Sequence, residues 1–404
     1  MTKVIKLPQL AWYEPKELEL RLPDHWQVET CNMAGYDRPA MTDDQIKAAI
    51  NNPIGSLPIR ELAKGKKEVV IIFDDIVRVT RIAKIVPFVL AELAEAGISD
   101  NRIKFIAAVG THGPMDRIAF VKKLGEATVA RFPVYNHNPF HNCTYVGTTS
   151  YGTKVSINDE VMQCDFKIVI GSITPHIATV FSGGGKIILP GVASAETIMA
   201  NHRLPKQNRP DYDTNPRRLD MEEAAKLVGL DVNIESIFNL WGDTVALFVG
   251  APDPSHAAGV QEAKTHYLTP KAQRKDIVIA NTYAKVPEAG IGVRIAVPSL
   301  SDKGGDIVLI ANAPQGQCVH YLLGVWGKKV QAPLGSVVSP LPSNVNHLIV
   351  YNEYPEMVSR QYLEQSEKVL MMENWNEVLG TLQSFHKGDV SVAVYPNADI
   401  QYCG

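Results

Sequence analysis

Short β-branched runs alternate with helical patterns along the chain, at 68–73, 103–109, 166–171, 244–250, 276–281, 306–312 and 347–352. That rhythm predicts an α/β protein with a mostly parallel sheet. Between the first two runs, Ile82, Ile85, Val86, Val89, Leu90 and Leu93 recur at helical spacing and end at Gly97, with Pro87 marking a first turn or a kink. Residues 68–109 therefore read as a βαβ unit. Asp220 and Glu223 form a capping-box pattern ahead of Ala224, Leu227 and Val228, closed by Gly229, which predicts a helix starting near 220. Residues 251–270 are mixed and polar at both ends before the strand rhythm restarts, so a boundary is expected near 270. The acidic stretch 353–382 is read as amphipathic helix with a solvated charged face.

At 404 residues the chain is too long for one ordinary core. Two domains are expected, 1–269 with a Rossmann-like sheet and 270–404 as a smaller α/β domain, with the active site in the cleft between them. No repeat or low-complexity tract alters this division. A 45% hydrophobic and 21% charged composition describes a folded globular protein, and 40 basic against 43 acidic residues lack the cationic excess that nucleic acid or anionic lipid would require. The five cysteines, Cys31, Cys143, Cys164, Cys318 and Cys403, are scattered without a C-x-x-C pair, and the first residues lack a signal-peptide apolar run, so a reducing, cytoplasmic location is expected.

Candidate chemistry follows the carboxyl ends of strands, where open α/β sheets bind ligands. The first strand leads into Asp74-Asp75-Ile76-Val77-Arg78, the second into Gly110-Thr111-His112-Gly113-Pro114, the third into Gly171-Ser172-Ile173-Thr174-Pro175-His176. Phe181-Ser182-Gly183-Gly184-Gly185-Lys186 follows, and its glycines would let backbone amides approach an anion, placing Lys186 beside a phosphate. Walker A spacing is absent, and Ile187 replaces the magnesium-binding hydroxyl, which excludes a P-loop NTPase. Taken singly, Arg78, His112, His176 and Lys186 each have a structural explanation. Their joint placement at strand ends favours function. His137, His141 and Cys143 could supply three zinc ligands, but no fourth is near and Pro139 spoils helical pairing, so a structural role is expected. His256 and His266 offer less still.

Read in order, these segments resemble the nickel-dependent lactate racemase family. The matching stretches are 75–78, 108–112, 134–137, 165–173, Pro175-His176, 181–193 and Asn201-His202, with 304–310 resembling a strand of the second domain. The resemblance implies a nickel-pincer nucleotide, a pyridinium mononucleotide whose sulfur substituents grip nickel, joined through a thioamide to Lys186 and completed by His202 on the metal. It also implies that His112 and His176 act as acid and base on opposite sides of the substrate and that Arg78 holds its carboxylate. Asp75, Ser182, Gly183 and Gly184 are expected around the cofactor, and separate maturation proteins are expected partners.

The chemistry explains this choice of residues. The C–H beside a hydroxyl and an ionised carboxylate is too weakly acidic for a side-chain base, so inversion is easier by removing and returning hydride through a planar 2-keto acid. Imidazole, with a pKa of about 6.5, suits the hydroxyl proton. Val77, Val79 and Gly113 depart from the threonine, proline and arginine usual in the lactate enzymes, and the second-domain segment 281–294 is not recognisable. Lys285 or Arg294 is the candidate replacement cation there, Arg294 being retained as the substrate-binding candidate. A larger or more polar 2-hydroxy acid than lactate, a sugar acid or a dicarboxylate, is the expected substrate. The competing readings are a Schiff-base aldehyde cofactor on Lys186 and a non-catalytic sugar-acid or nucleotide binding protein.

Overall fold

The computed structural model describes residues 3–205, 211–322, 324–329, 340–356 and 366–403, together with 358 and 363. The chain divides into two compact units, one of Arg38–Lys264 with His320–Leu322, the other of Met1–Asp37, Thr265–Val319 and Leu323–Gly404.

The first unit is built on a six-stranded sheet in the order Thr244–Gly250, Val232–Phe238, Phe166–Ser172, Val69–Asp74, Ile103–Ala108, Val134–Asn136. Every pairing is parallel except that of Thr244–Gly250 with Val232–Phe238. Val69, Val70, Ile71, Ile72 and Phe73 are all fully buried because both faces of a central parallel strand are covered. The helix Val86–Glu95 supplies one cover through Val86, Val89 and Leu93, with Pro87 in its first turn, where a missing amide costs no hydrogen bond.

Strand order reverses at the centre. The chain runs outward from Val69–Asp74 to Ile103–Ala108 and Val134–Asn136, then returns to place Phe166–Ser172 on the other side of Val69–Asp74. Such a reversal opens a crevice at the carboxyl ends of the two central strands. The second unit carries a wholly parallel six-stranded sheet, in the order Val369–Met372, Val345–Tyr351, Gly305–Ile310, Ile277–Asn281, Ser391–Tyr395, Gln27–Thr30.

Several expectations are corrected. The first 37 residues go with the C-terminal unit rather than with 1–269, because Gln27–Thr30 pairs with Ser391–Tyr395 as an edge strand. The polar stretch after 251 is the helix Pro252–His266. The helix near 220 runs Pro216–Val228 and is capped by Asn215. Asp220 is not a cap: it is fully buried inside that helix and accepts hydrogen bonds from Thr149, Thr153 and Asn201. Gly229, at φ 71°, does end it. Part of 353–382 lies outside the described residues, and the rest includes Val369–Met372 and the start of the helix Trp375–Phe385. Among the described residues, no helix is long and apolar enough to cross a membrane.

Candidate active site

The loop leaving Val69–Asp74 is held by its own acidic pair. Asp74 accepts from Thr80 Oγ1 within the loop and from Ser172 Oγ at 3.3 Å on the neighbouring strand, so it ties together the two strands that flank the reversal. The fully buried ammonium of Lys123 meets Asp74 Oδ1 at 2.8 Å and donates to the Arg78 carbonyl at 2.7 Å. Burial pushes the Asp74 carboxyl up and the Lys123 ammonium down, so each ion depends on the other. Removing one partner of such a pair strands a buried charge, at a cost of about 3–5 kcal/mol. Lys123→Ala is therefore expected to lower the urea unfolding midpoint by that amount of stability, and a variant as stable as the parent would contradict this account of the loop.

Asp75, expected near the cofactor, is bonded to His112, with Oδ2 2.6 Å from Nδ1. Its other oxygen accepts from Val77 N at 3.1 Å. Burial alone would raise its pKa, but the charges of His112, Arg78 and Lys123 hold it below the usual carboxylate range. An ionised Asp75 can only accept, so it places the His112 proton on Nδ1 and leaves Nε2 as the ring's lone-pair nitrogen, the tautomer of a general base.

His176 stands in the opposite state. It lies on a two-residue strand paired with Val180–Phe181, and its Nδ1 faces the Ala178 amide at 3.2 Å. An amide can only donate, so the neutral ring accepts at Nδ1 and carries its proton on Nε2. The buried Thr179 hydroxyl lies 3.0 Å from the same Nδ1 and 2.8 Å from the Phe181 carbonyl. Its single proton serves one or the other, so a rotation of this hydroxyl can follow a change in the histidine's protonation.

His320, which the sequence reading passed over, packs on the first histidine, with ring centroids 5.2 Å apart and the planes at 67°. Tyr321 N donates to the Thr111 carbonyl at 2.8 Å, forming a bridge that brings His320 alongside His112. No signal within residues 318–322 announces this, since the partner is about two hundred positions away.

The glycine turn differs from the expected phosphate nest. Gly184 N donates to Glu235 Oε1 at 2.5 Å and Gly185 N to Glu222 Oε2 at 2.9 Å, so the anions occupying the turn are the protein's own carboxylates. Gly183 and Gly184 have φ of 87° and 56°, and a Cβ on them would lie 2.0 Å from Glu235 Oε1 and 2.2 Å from Arg218 Nη2. Only glycine fits such backbone in such contact. Ser182 is likewise used internally, accepting from Thr174 N at 2.9 Å and donating to the Ser172 carbonyl at 3.0 Å. These residues place Lys186 rather than presenting free amides to a phosphate.

Lys186 sits half-buried in the short 3-10 turn Gly184–Ile187. Its charge reaches His202, in the last turn of the helix Ala195–Arg203. His202 Nδ1 donates to the Ile198 carbonyl at 2.8 Å, which leaves the Nε2 lone pair as the ring's ligating position. Burial, reinforced by Lys186 and Arg217, pushes its pKa down to about 4. The imidazole is thus neutral at ordinary pH, the form a metal requires. Among the described residues, no group of three or more histidine, cysteine or acidic side chains is placed to hold a metal ion.

His137 is satisfied within the fold, its Nε2 donating to the Ala193 carbonyl at 2.9 Å and its Nδ1 accepting from Asn158 at 3.2 Å. Burial lowers its pKa to about 4. Because His137 and His202 bind protons less readily folded than unfolded, their stability contribution is complete above pH 6.5 and is lost as pH falls from there toward 4. At pH 4 the loss is on the order of 3 kcal/mol for His137. The urea midpoint should fall across that window, and less steeply in His137→Gln; a flat parental profile would exclude this coupling.

In the second unit, Lys285 is almost fully buried, and its backbone amide donates to Asp399 Oδ2 at 2.6 Å. Arg294 is exposed on the helix Gly292–Ala296.

Comparison with known proteins shows the family. Residues 13–213 match the family described as the lactate racemase N-terminal domain. The chain is 30% identical over 318 residues to a lactate racemase of Thermoanaerobacterium thermosaccharolyticum, covering 75% of this chain and 74% of that protein. It is 30% identical over 309 residues to a lactate racemase of Lactiplantibacillus plantarum, covering 72% of each. The fold matches the structure of the lactate racemase apoprotein from T. thermosaccharolyticum over 100% of both chains, with a TM-score of 0.71 at 24% identity. A Thermotoga maritima protein matches at a TM-score of 0.65 and 18% identity, over 91% of this chain and 99% of that one. The chain therefore belongs to the lactate racemase family of isomerases.

Proposed function

We propose that this enzyme inverts the C2 centre of a 2-hydroxy acid by reversible hydride transfer, using a nickel-pincer nucleotide joined to Lys186. The observation that carries the reading is the anchoring of two histidines through Nδ1, His112 by the Asp75 carboxylate and His176 by the Ala178 amide, which leaves Nε2 as the working nitrogen of each. Inversion requires that pair in opposite charge states: one neutral imidazole takes the hydroxyl proton of the incoming enantiomer as hydride leaves C2 and becomes imidazolium, and the other, starting as imidazolium, protonates the oxygen after hydride returns to the opposite face and becomes neutral. When bound, the cofactor supplies the hydride acceptor and donor.

The residues present suit that group. Lys186 offers an amine on a turn fixed by three glycines, and His202 offers a neutral imidazole whose other nitrogen is already engaged. Arg78 pairs with the substrate carboxylate, its backbone secured by Lys123 and its charge within reach of Asp75. A bidentate guanidinium fixes the carboxylate plane while either face of the ketone is attacked. Separate maturation proteins would build the cofactor before it is attached.

His320 beside His112 favours a substrate with a hydrogen-bonding group beyond C2, a polyhydroxy acid or a 2-hydroxy dicarboxylate, over lactate. The test is chiral chromatography of single enantiomers incubated with protein expressed alongside the cofactor-building partners. Loss of optical purity in a 2-hydroxy acid, dependent on His112, is expected; a nickel-loaded chain that inverts none of these classes would overturn the reading.

A further inference from the structure

Two consecutive arginines in the first turn of Pro216–Val228 reach in different directions. Arg217 donates from Nη2 to the His202 carbonyl at 2.8 Å and from Nε to the Leu204 carbonyl at 3.0 Å. These carbonyls belong to the end of a helix, where backbone acceptors lack partners of their own. Arg218, fully buried, donates from Nη1 to the Gly183 carbonyl at 2.7 Å and pairs with Glu222 one turn on. It also donates to His256 Nε2, and His256 Nδ1 donates to Glu235 at 2.7 Å. Because Glu222 and Glu235 receive the Gly185 and Gly184 amides, this network grips three successive backbone groups ahead of Lys186. Asn215, the helix cap, donates to the Ala178 carbonyl at 2.9 Å, in the hairpin that carries His176.

We infer that the segment from Asn215 to Arg218 is the frame that sets the spacing of His176, Lys186 and His202, with Arg217 the positioning residue for His202 and Arg218 for Lys186. The inference rests on the proposed cofactor reading, but the contacts stand without it. A helix start joined to the segments that carry all three residues transmits its own precision to them, as the supporting shell of a metal site must.

The test uses Arg217→Gln, because Arg217 is only partly buried and its loss does not open the Arg218 network. On protein expressed with the cofactor-building partners, intact mass, nickel per chain under a chelator, and melting temperature are compared for the parent, Arg217→Gln and Arg217→Lys. Arg217→Gln should keep the added mass on Lys186 and the parental melting temperature yet hold nickel about 10- to 100-fold less tightly. Arg217→Lys, which keeps a cationic donor, should recover part of that loss. Nickel held as firmly in Arg217→Gln as in the parent overturns the inference. A parent carrying neither added mass nor nickel sinks the cofactor reading instead. The frame is then judged on the cofactor-free chain by amide hydrogen exchange: faster exchange in Arg217→Gln confined to the end of Ala195–Arg203 supports it, and an unchanged pattern overturns it.

Discussion

Replacing Lys186 by alanine is expected to abolish cofactor retention, leaving a chain of unmodified mass and reducing nickel to background. The proposed link is covalent and needs an amine at that position. Lys186 is half-buried, its backbone amide donates to the Gly183 carbonyl at 3.2 Å, and the turn before it is held by Glu222, Glu235 and Arg218. The turn's backbone is therefore expected to keep its conformation in the variant. Lys186→Arg separates charge from chemistry, since guanidinium stays protonated and does not make the thioamide. It should be as empty as the alanine variant. Parental mass gain and nickel in either variant would remove Lys186 from the site.

The second large effect is expected at the Asp75–His112 pair. Asp75→Asn should keep the added mass and the nickel but lower kcat by about 10²–10⁴-fold, the range for losing an oriented general base or its tautomer. The asparagine amide can accept from the ring through one atom and donate through another, so the proton on His112 Nδ1 is no longer dictated. The imidazolium formed when His112 takes the hydroxyl proton also loses the carboxylate 2.6 Å away. His112→Ala should fall at least as far, again without loss of cofactor. Because these residues act as a unit, the double variant should be little worse than His112→Ala alone. Independent, multiplying losses would mean that Asp75 supports the site by some route other than this histidine. Fully active single variants, together with a fully active Lys186→Ala, would sink the site assignment as a whole.

Missed elements show where sequence reasoning stops. Val232–Phe238 is buried along its whole length, yet Asn233, Glu235 and Ser236 interrupt its apolar pattern. Those polar residues are paired with one another and with segments distant in sequence: Asn233 donates to Glu235 and to Ser255, and Ser236 Oγ to the Gly171 carbonyl. Hydrophobic periodicity finds a strand by its buried face, so a strand buried through polar pairing escapes it. His256 was set aside for the same reason, because its partners, Arg218 and Glu235, lie 38 and 21 residues away.

The alternation of apolar runs and helical patterns was enough by itself to place the central strands, to read the fold class, and to put Asp75, His112, His176 and Lys186 just beyond strand ends. Local backbone preference and the need to bury continuous apolar segments act over a few residues and are written directly in the chain. Only the tertiary structure decided what those residues do to each other. It made Asp75 the partner of His112, filled the glycine turn with Glu222 and Glu235, and brought His320 and the Arg217–Arg218 pair to the site. Hydrogen-bond direction, burial and charge pairing depend on which distant segments meet, and strand order settles that across the sheet.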